Sequence, residues 1–171
     1  PTVRPEPIYW GLTDIPGDLR EERLLEALRH LPRPAIVYTT LRQNQPHRRY
    51  ALNPRRLVDV LREHGFHRVV AIDGDSSASE REHALEGLRD KHSGREEPAK
   101  LDLVIANSAF GLGIDIPDVR AVIHACIPES LDRYYQEVGR GGRDGQSSVS
   151  LLLATRHDHQ VANKFANPNH L

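Results

Sequence analysis

Short β-branched runs alternate with helical stretches along this chain at intervals of roughly 20–35 residues, and that alternation limits the fold more than any other feature. Residues Ala35–Thr40 (AIVYTT), Arg68–Ile72, Leu101–Ala106, Val119–His124 and Val149–Ala154 have the apolar, branched character of buried strands. Between them lie segments with helical spacing. Asp18–Leu31 places Leu19, Leu24, Leu25, Leu28 and Leu31 on one face, and Pro32 and Pro34 stop it. Asn53-Pro54 supplies a cap and a first-turn proline for a helix carrying Leu57, Val58 and Leu61, ended by Gly65. A further helix is predicted from Ser79 to His92, another over Leu131–Val138, and a last one after Thr155. Leu41–Leu52 and Ser93–Lys100 carry little pattern and fall in polar connections. The expectation is an α/β fold with a parallel sheet of five or six strands and helices on both faces. Ligands on such sheets gather at the carboxyl ends of the strands, which directs attention to the loops after Thr40, Ile72, Ala106 and His124.

Size and charge narrow the class. A chain of 171 residues fits one core rather than two. Its 23 basic and 24 acidic side chains give a net charge of −1, which excludes nucleic-acid binding through bulk charge alone. No apolar run reaches the ~20 residues of a membrane-spanning helix. The Pro-rich start Pro1–Pro7 is not a signal peptide, and the single Cys126 rules out a disulfide framework or a multi-cysteine zinc site. A reducing cytoplasm is the default expectation. Arg outnumbers Lys 20 to 3, so positive charge sits mostly on planar forks suited to phosphate and carboxylate. With no Met and a proline at its start, the chain is expected to be an excised piece of a larger protein.

Two stretches carry the chemistry. In Ser130–Gly145, SLDRYYQEVGRGGRDG, Ser130 caps a short helix that runs into Gly139-Arg140-Gly141-Gly142-Arg143. The glycines let the backbone turn sharply near a ligand, and two arginines three apart can face one anion. A surface turn with two solvated arginines is the plainer reading of GRxGR alone; the flanking YYQE and DG make the pattern more specific. In Val104–His124, VIANSAFGLGIDIPDVRAVIH, a buried strand delivers a glycine-rich loop with Asp115 and a proline-marked turn into the next strand. It is no GxxxxGK[ST] phosphate loop, since no Lys follows. Asp115 is either an acceptor within its own turn or an acid facing a ligand.

Together and in this order, these stretches resemble motifs V and VI of superfamily 2 helicases, and AFGLGIDIPDVRAVIH with YYQEVGRGGRDG is most similar to the RecQ family of DNA helicases. Ala35–Thr40 with Leu41-Arg42 resembles motif IV. The resemblance covers about Ala35 to Thr155 and implies a second RecA-like helicase domain over 35–171, preceded by a tail and lead-in helix over 1–34. It implies ATP with Mg²⁺ held mainly by a first RecA-like domain that this chain lacks, having neither a GK[ST] loop nor an acidic DExH box. Arg143 matches the arginine finger, with Arg140 also near the γ-phosphate, and Gln136 couples nucleotide to the domain interface. Gly113, Asp115 and Gly139 fall on the nucleotide side. Arg42, Asn107, Ser108 and Gly111 fall along the nucleic-acid strand. No metal site is implied.

The expected role is thus the second motor domain of an ATP-dependent DNA helicase, translocating 3′ to 5′ on single-stranded or partly duplex DNA, with its first RecA-like domain as partner and no membrane. The alternatives are the motor domain of an RNA helicase or duplex translocase, and a non-enzymatic RecA-like binding module. The pair Arg140 and Arg143 argues against the last.

The sequence also departs from that family. Asn107 stands where RecQ proteins commonly have Thr, and Gly141 where Ala is usual, a change expected to add flexibility between the arginines. Asp73-Gly74-Asp75 replaces the frequent His-Ala-Gly, and two carboxylates there would repel a DNA backbone. Cys126 is expected to be a buried small hydrophobe, and at least one of Tyr134 and Tyr135 to be core. Trp10 either pins the N-terminal tail or binds something. His157-Asp158-His159 falls in a cap-and-helix context rather than a metal site.

Overall fold

The computed structural model describes residues 7–39, 52–88, 100–107, 110, 119–143 and 145–159. Six strands form one sheet: β1 (Ile8–Ile15), β2 (Ala35–Thr39), β3 (Val69–Ile72), β4 (Leu103–Asn107), β5 (Ala121–His124) and β6 (Val149–Thr155). Their order across the sheet is β1-β6-β5-β2-β4-β3, and every pair is parallel. Among the described residues the sheet is accompanied by helices α1 (Arg20–His30), α2 (Pro54–Glu63), α3 (Ala78–Leu88) and α4 (Leu131–Val138), with a short 3-10 turn at Gly17–Leu19 and further helical residues at 156–159. This is the doubly covered parallel α/β architecture that the alternation predicts.

Alternate side chains of the central strands leave on opposite faces, so the sheet divides the core in two. Val37, Leu103, Ile105, Ile123 and Leu153 meet Leu24 and Leu28 of α1 and Leu57 and Leu61 of α2. On the other face Ile36, Tyr38, Val104 and Val122 meet Ala84, Leu85 and Leu88 of α3 together with Phe110. Burying leucines of this kind contributes about 1.5–3 kcal/mol each, which is why the spacing in the sequence locates these helices well. The caps form as read: Asn53 accepts from the backbone N–H of Arg55 and Arg56, and Ser130 accepts from that of Arg133.

The strand at the sheet's edge is the main departure from the sequence expectation. Residues 8–15, read as part of a tail, form β1 and pair with β6 from Ile8–Val149 to Ile15–Thr155. Its backbone is fixed by this pairing, while Trp10 is 67% exposed and Ile8, Tyr9 and Leu12 are about half exposed. A strand covered on neither face gives no buried run, so IYWGLTDI shows no clean period. Trp10 therefore does not pin the segment through its ring. Among the described residues no helix is long and apolar enough to cross a membrane.

One buried tie fastens the start of α1 to the end of β6 and the residues just after it. Arg20, 1% exposed, donates to the Ala125 carbonyl at 2.7 Å and the Thr155 hydroxyl at 2.7 Å, and pairs with Asp158. Burial lowers the affinity of its guanidinium for the proton, and Asp158 opposes that effect. Asp158 also accepts from the Thr155 N–H at 2.9 Å while its own N–H donates to the Thr155 hydroxyl at 3.2 Å, the reciprocal cap expected at His157-Asp158-His159.

Candidate functional site

The arginine segment is built on α4. This helix starts after the carboxyl end of β5 and runs back across the sheet on the α3 side. There the Tyr134 hydroxyl meets that of Ser150 at 3.1 Å and Glu137 reaches His124 at 2.8 Å. Eight residues at 1.5 Å each carry the chain about 12 Å, nearly the length of β5. The glycine-arginine loop therefore emerges beside the residues that lead into β5 and β6, not at the carboxyl ends of the strands. Gly141 bridges Val119 in parallel fashion, and the Gly142 N–H donates to the Val119 carbonyl at 3.0 Å.

Backbone hydrogen bonds hold the loop tightly. The N–H groups of Gly139, Arg140 and Gly141 donate to the carbonyls of Tyr135, Glu137 and Val138 at 2.8, 3.1 and 3.0 Å. A β-carbon on Gly141 would lie 2.8 Å from the Ser148 hydroxyl and 2.9 Å from its Cβ. Glycine here serves close packing, so the expected flexibility between the arginines is not what the structure shows. Gly142 has φ +65° and would bring a Cβ to 2.5 Å from the Gln146 carbonyl, so no other residue fits there without strain.

The two arginines end in different surroundings. Arg143 is exposed, and its Nε donates to the Gly139 carbonyl at 3.1 Å. Arg140 is 5% exposed and interacts with the Tyr38 side chain on β2. They do not form one solvent-facing pair in this conformation. Gln136 is exposed on α4, as is Tyr135, whereas Tyr134 packs against His124 with ring centroids 5.0 Å apart. One tyrosine is thus built into the domain and the other is not, as the amphipathic spacing requires.

Beneath the loop lies a buried polar cluster that sequence reasoning missed. His124 is fully buried, its Nε2 2.8 Å from Glu137 Oε2 and its ring stacked on Tyr38 at 5.3 Å. The other oxygen of Glu137 accepts from Arg133 Nε at 2.9 Å. Burial pushes the Tyr38 hydroxyl well above the ordinary tyrosine range, and Arg140 acts against that shift. The one signal available in advance was a histidine ending an apolar strand and a glutamate in the last helical turn before Gly-Arg.

At the carboxyl ends of the strands, Thr39, Asn107 and Asp73 are all buried. Asn107 ends β4 opposite Thr39 and its carbonyl accepts from Phe110 at 3.1 Å. Asp73 is not one of a pair of solvent-facing carboxylates. It accepts from Arg55 Nε at 2.7 Å and Nη2 at 3.1 Å, from the Asp75 N–H at 3.0 Å and from the Ser76 hydroxyl at 3.2 Å. The Arg55 guanidinium, with these further donors, holds its carboxyl below the usual aspartate range. Only Asp75 of the two is exposed. Cys126 is buried, as expected. Arg42, Ser108, Gly111, Gly113 and Asp115 lie outside the described residues.

A match to a family model decides how this arrangement is classed: residues 20–145 match the family described as Helicase conserved C-terminal domain. The chain belongs to that family. Among its curated relatives, the RecQ-like DNA helicase blm-1 of Caenorhabditis elegans is 56% identical over 59 residues, 34% of this chain and 6% of that protein. The ATP-dependent DNA helicase RecQ of Bacillus subtilis (strain 168) is 48% identical over 62 residues, 36% of this chain and 10% of that protein. These matches span about a third of the chain and a small part of each relative. The RecA-like fold is shared with the E. coli DEAD-box protein SrmB, with a TM-score of 0.68 at 22% identity, covering 93% of this chain and 83% of that one.

For this helicase C-terminal domain, a nucleotide fits the residues present in part. Arg143 is exposed on a loop whose backbone is fixed, and a guanidinium is chemically suited to a phosphate. Among the described residues no group of three histidines, cysteines or acids is placed to hold a metal ion.

Proposed function

We propose that this chain is the second motor domain of an ATP-dependent DNA helicase of RecQ-like type, with Arg143 as its arginine finger. The observation that carries the reading is the contrast in the GRGGR loop: a rigid, glycine-packed backbone presents one arginine outward while the other is turned in. A finger must hold its charge in place before the reaction, because reorganisation at the transition state would cost what the charge gains. The ATP bound by a first RecA-like domain supplies the phosphoryl group on which negative charge develops. Arg143 would meet that charge from across the domain interface, and Gln136, exposed on α4 just before the loop, would report the nucleotide to the interface. Arg140, buried against Tyr38, supports the loop from within.

On this reading the carboxyl ends of β2 and β4 form part of a single-strand track. Translocation is 3′ to 5′, and Mg²⁺ is held mainly by the partner domain. The 171-residue chain alone turns over no ATP, since its sequence has no GK[ST] loop or acidic box to hold the phosphates.

The test is Arg143→Ala in the full-length protein. DNA-stimulated ATP turnover should fall by about 10³ while DNA affinity and folding stay near wild type. Turnover within about threefold of wild type, only ~0.7 kcal/mol in barrier, would overturn the assignment.

A further inference from the structure

We propose that Glu137 is a positioning residue for the arginine loop: its buried carboxylate, held by His124 on one oxygen and Arg133 on the other, pins the last turn of α4 to β5 and so sets the direction of Arg143. This rests on the reading of Arg143 given above.

The geometry confines the carboxylate closely. Glu137 is 2% exposed, and both of its oxygens are engaged, at 2.8 Å by His124 Nε2 and at 2.9 Å by Arg133 Nε. The His124 ring lies between Tyr38 and Tyr134, at 5.3 and 5.0 Å, so it cannot swing away. Among the described residues its Nδ1 has no hydrogen-bond partner. A buried N–H left unmet is costly, so the ring proton belongs on Nε2, where it donates to Glu137. The histidine is itself fixed through the sheet, since the next residue, Ala125, donates its N–H to the Tyr38 carbonyl at 2.8 Å.

The loop hangs from the turn that this carboxylate anchors. The Glu137 carbonyl accepts from Arg140 N–H, the Val138 carbonyl accepts from Gly141 N–H, and the Gly139 carbonyl accepts from the Arg143 side chain. A small rotation of that turn would carry Arg143 with it. Stability alone does not call for such a cluster, because well-packed apolar residues often replace a buried ion pair with no loss. What apolar packing lacks is direction, and two hydrogen bonds to one rigid carboxylate supply it.

Glu137→Gln tests this, because an amide cannot accept from both neighbours while keeping the His124 proton on Nε2. In the full-length protein, amide exchange at residues 139–143 should speed about tenfold or more, with β2 and β5 unchanged. At a temperature where the variant is fully folded, kcat should fall about tenfold with KM for ATP within about twofold. In an Arg143→Ala background the same change should have no further effect on kcat, because Glu137 acts through that arginine.

Unchanged exchange at 139–143, or an equal fall in kcat in both backgrounds, would overturn the proposal. If Glu137→Gln does not fold, Arg133→Gln removes only the outer, partly exposed arm and carries the same measurements, with about threefold effects. Should Arg143→Ala turn over ATP normally, the finger reading fails, and the exchange data still decide whether Glu137 orders the loop.

Discussion

The loop after α4 and the turn after β3 are both short, glycine-containing and rich in charge, and they dispose of that charge in opposite directions. In the first, backbone bonds and a buried His124–Glu137–Arg133 cluster support a loop that sends Arg143 outward. In the second, Asp73 is turned inward and satisfied by Arg55, Ser76 and the Asp75 N–H. A buried, fully paired carboxylate offers little to a ligand, whereas an exposed guanidinium on a fixed backbone is within reach of one from solvent. Like composition at two loops thus gives one candidate site and one structural clasp.

The sharpest way to break this comparison is Arg143→Lys. If the loop merely supplied positive charge, lysine would serve. A compact ammonium on a different stem cannot reproduce the planar fork, so full-length protein carrying lysine should lose about 10²-fold or more in DNA-stimulated ATP turnover, measured at saturating DNA. Near-normal turnover would reduce Arg143 to a diffuse charge.

The second test is of the loop's rigidity. Gly142→Ala forces a side chain into φ +65° and within 2.5 Å of the Gln146 carbonyl. It should cost about 2–3 kcal/mol in chemical denaturation, because strain and a backbone clash act together. A cost under about 0.5 kcal/mol would show that the loop yields, and that its observed shape does not hold Arg143 in place.

These two loops also show how far sequence reasoning reaches. The helices and central strands were legible because Leu24, Leu28, Leu57 and Leu61 and runs such as AIVYT report burial directly through their spacing. The arginine loop was legible as a pattern, but its place was not. That depends on how α4, whose bounds the spacing gives, packs back along β5, which composition does not reveal. β1 escaped notice because an edge strand exposed on both faces has no period to read. The His124–Glu137 pair escaped because 13 residues separate its members and only the packing of α4 on β5 brings them together. Asp73 was misjudged for the same reason: its partner Arg55 is 18 residues earlier, across α2.

A smaller effect tests the clasp. Asp73→Asn keeps the shape of the side chain but loses its charge-assisted bonds to Arg55, itself largely exposed and so screened. The loss should be about 1 kcal/mol at neutral pH. The sign with pH is fixed by the direction of the shift. The carboxyl binds its proton less readily folded than unfolded, so its contribution is present above the ordinary aspartate range and fades as pH falls through the lowered folded value. Denaturation of wild type and Asp73→Asn as a function of pH should therefore converge in acid. Curves that stay parallel would mean the carboxylate is not what holds the turn.

The smallest expected effect is the control that gives the glycine comparison its meaning. Gly74 lies in the β3–α3 turn, has no positive φ, and would place a Cβ with nothing within 4 Å among the described residues. Alanine there meets no clash and narrows the unfolded chain's freedom, so Gly74→Ala should leave stability within about 0.5 kcal/mol, on the stabilising side if it moves. It is exposed and beside, not within, the Asp73–Arg55 contact, so the pH dependence of unfolding should match wild type. A loss as large as that of Gly142→Ala would mean that both turns need glycine for the same reason. The contrast between a glycine packed against Gln146 and one facing solvent would then no longer separate the two loops.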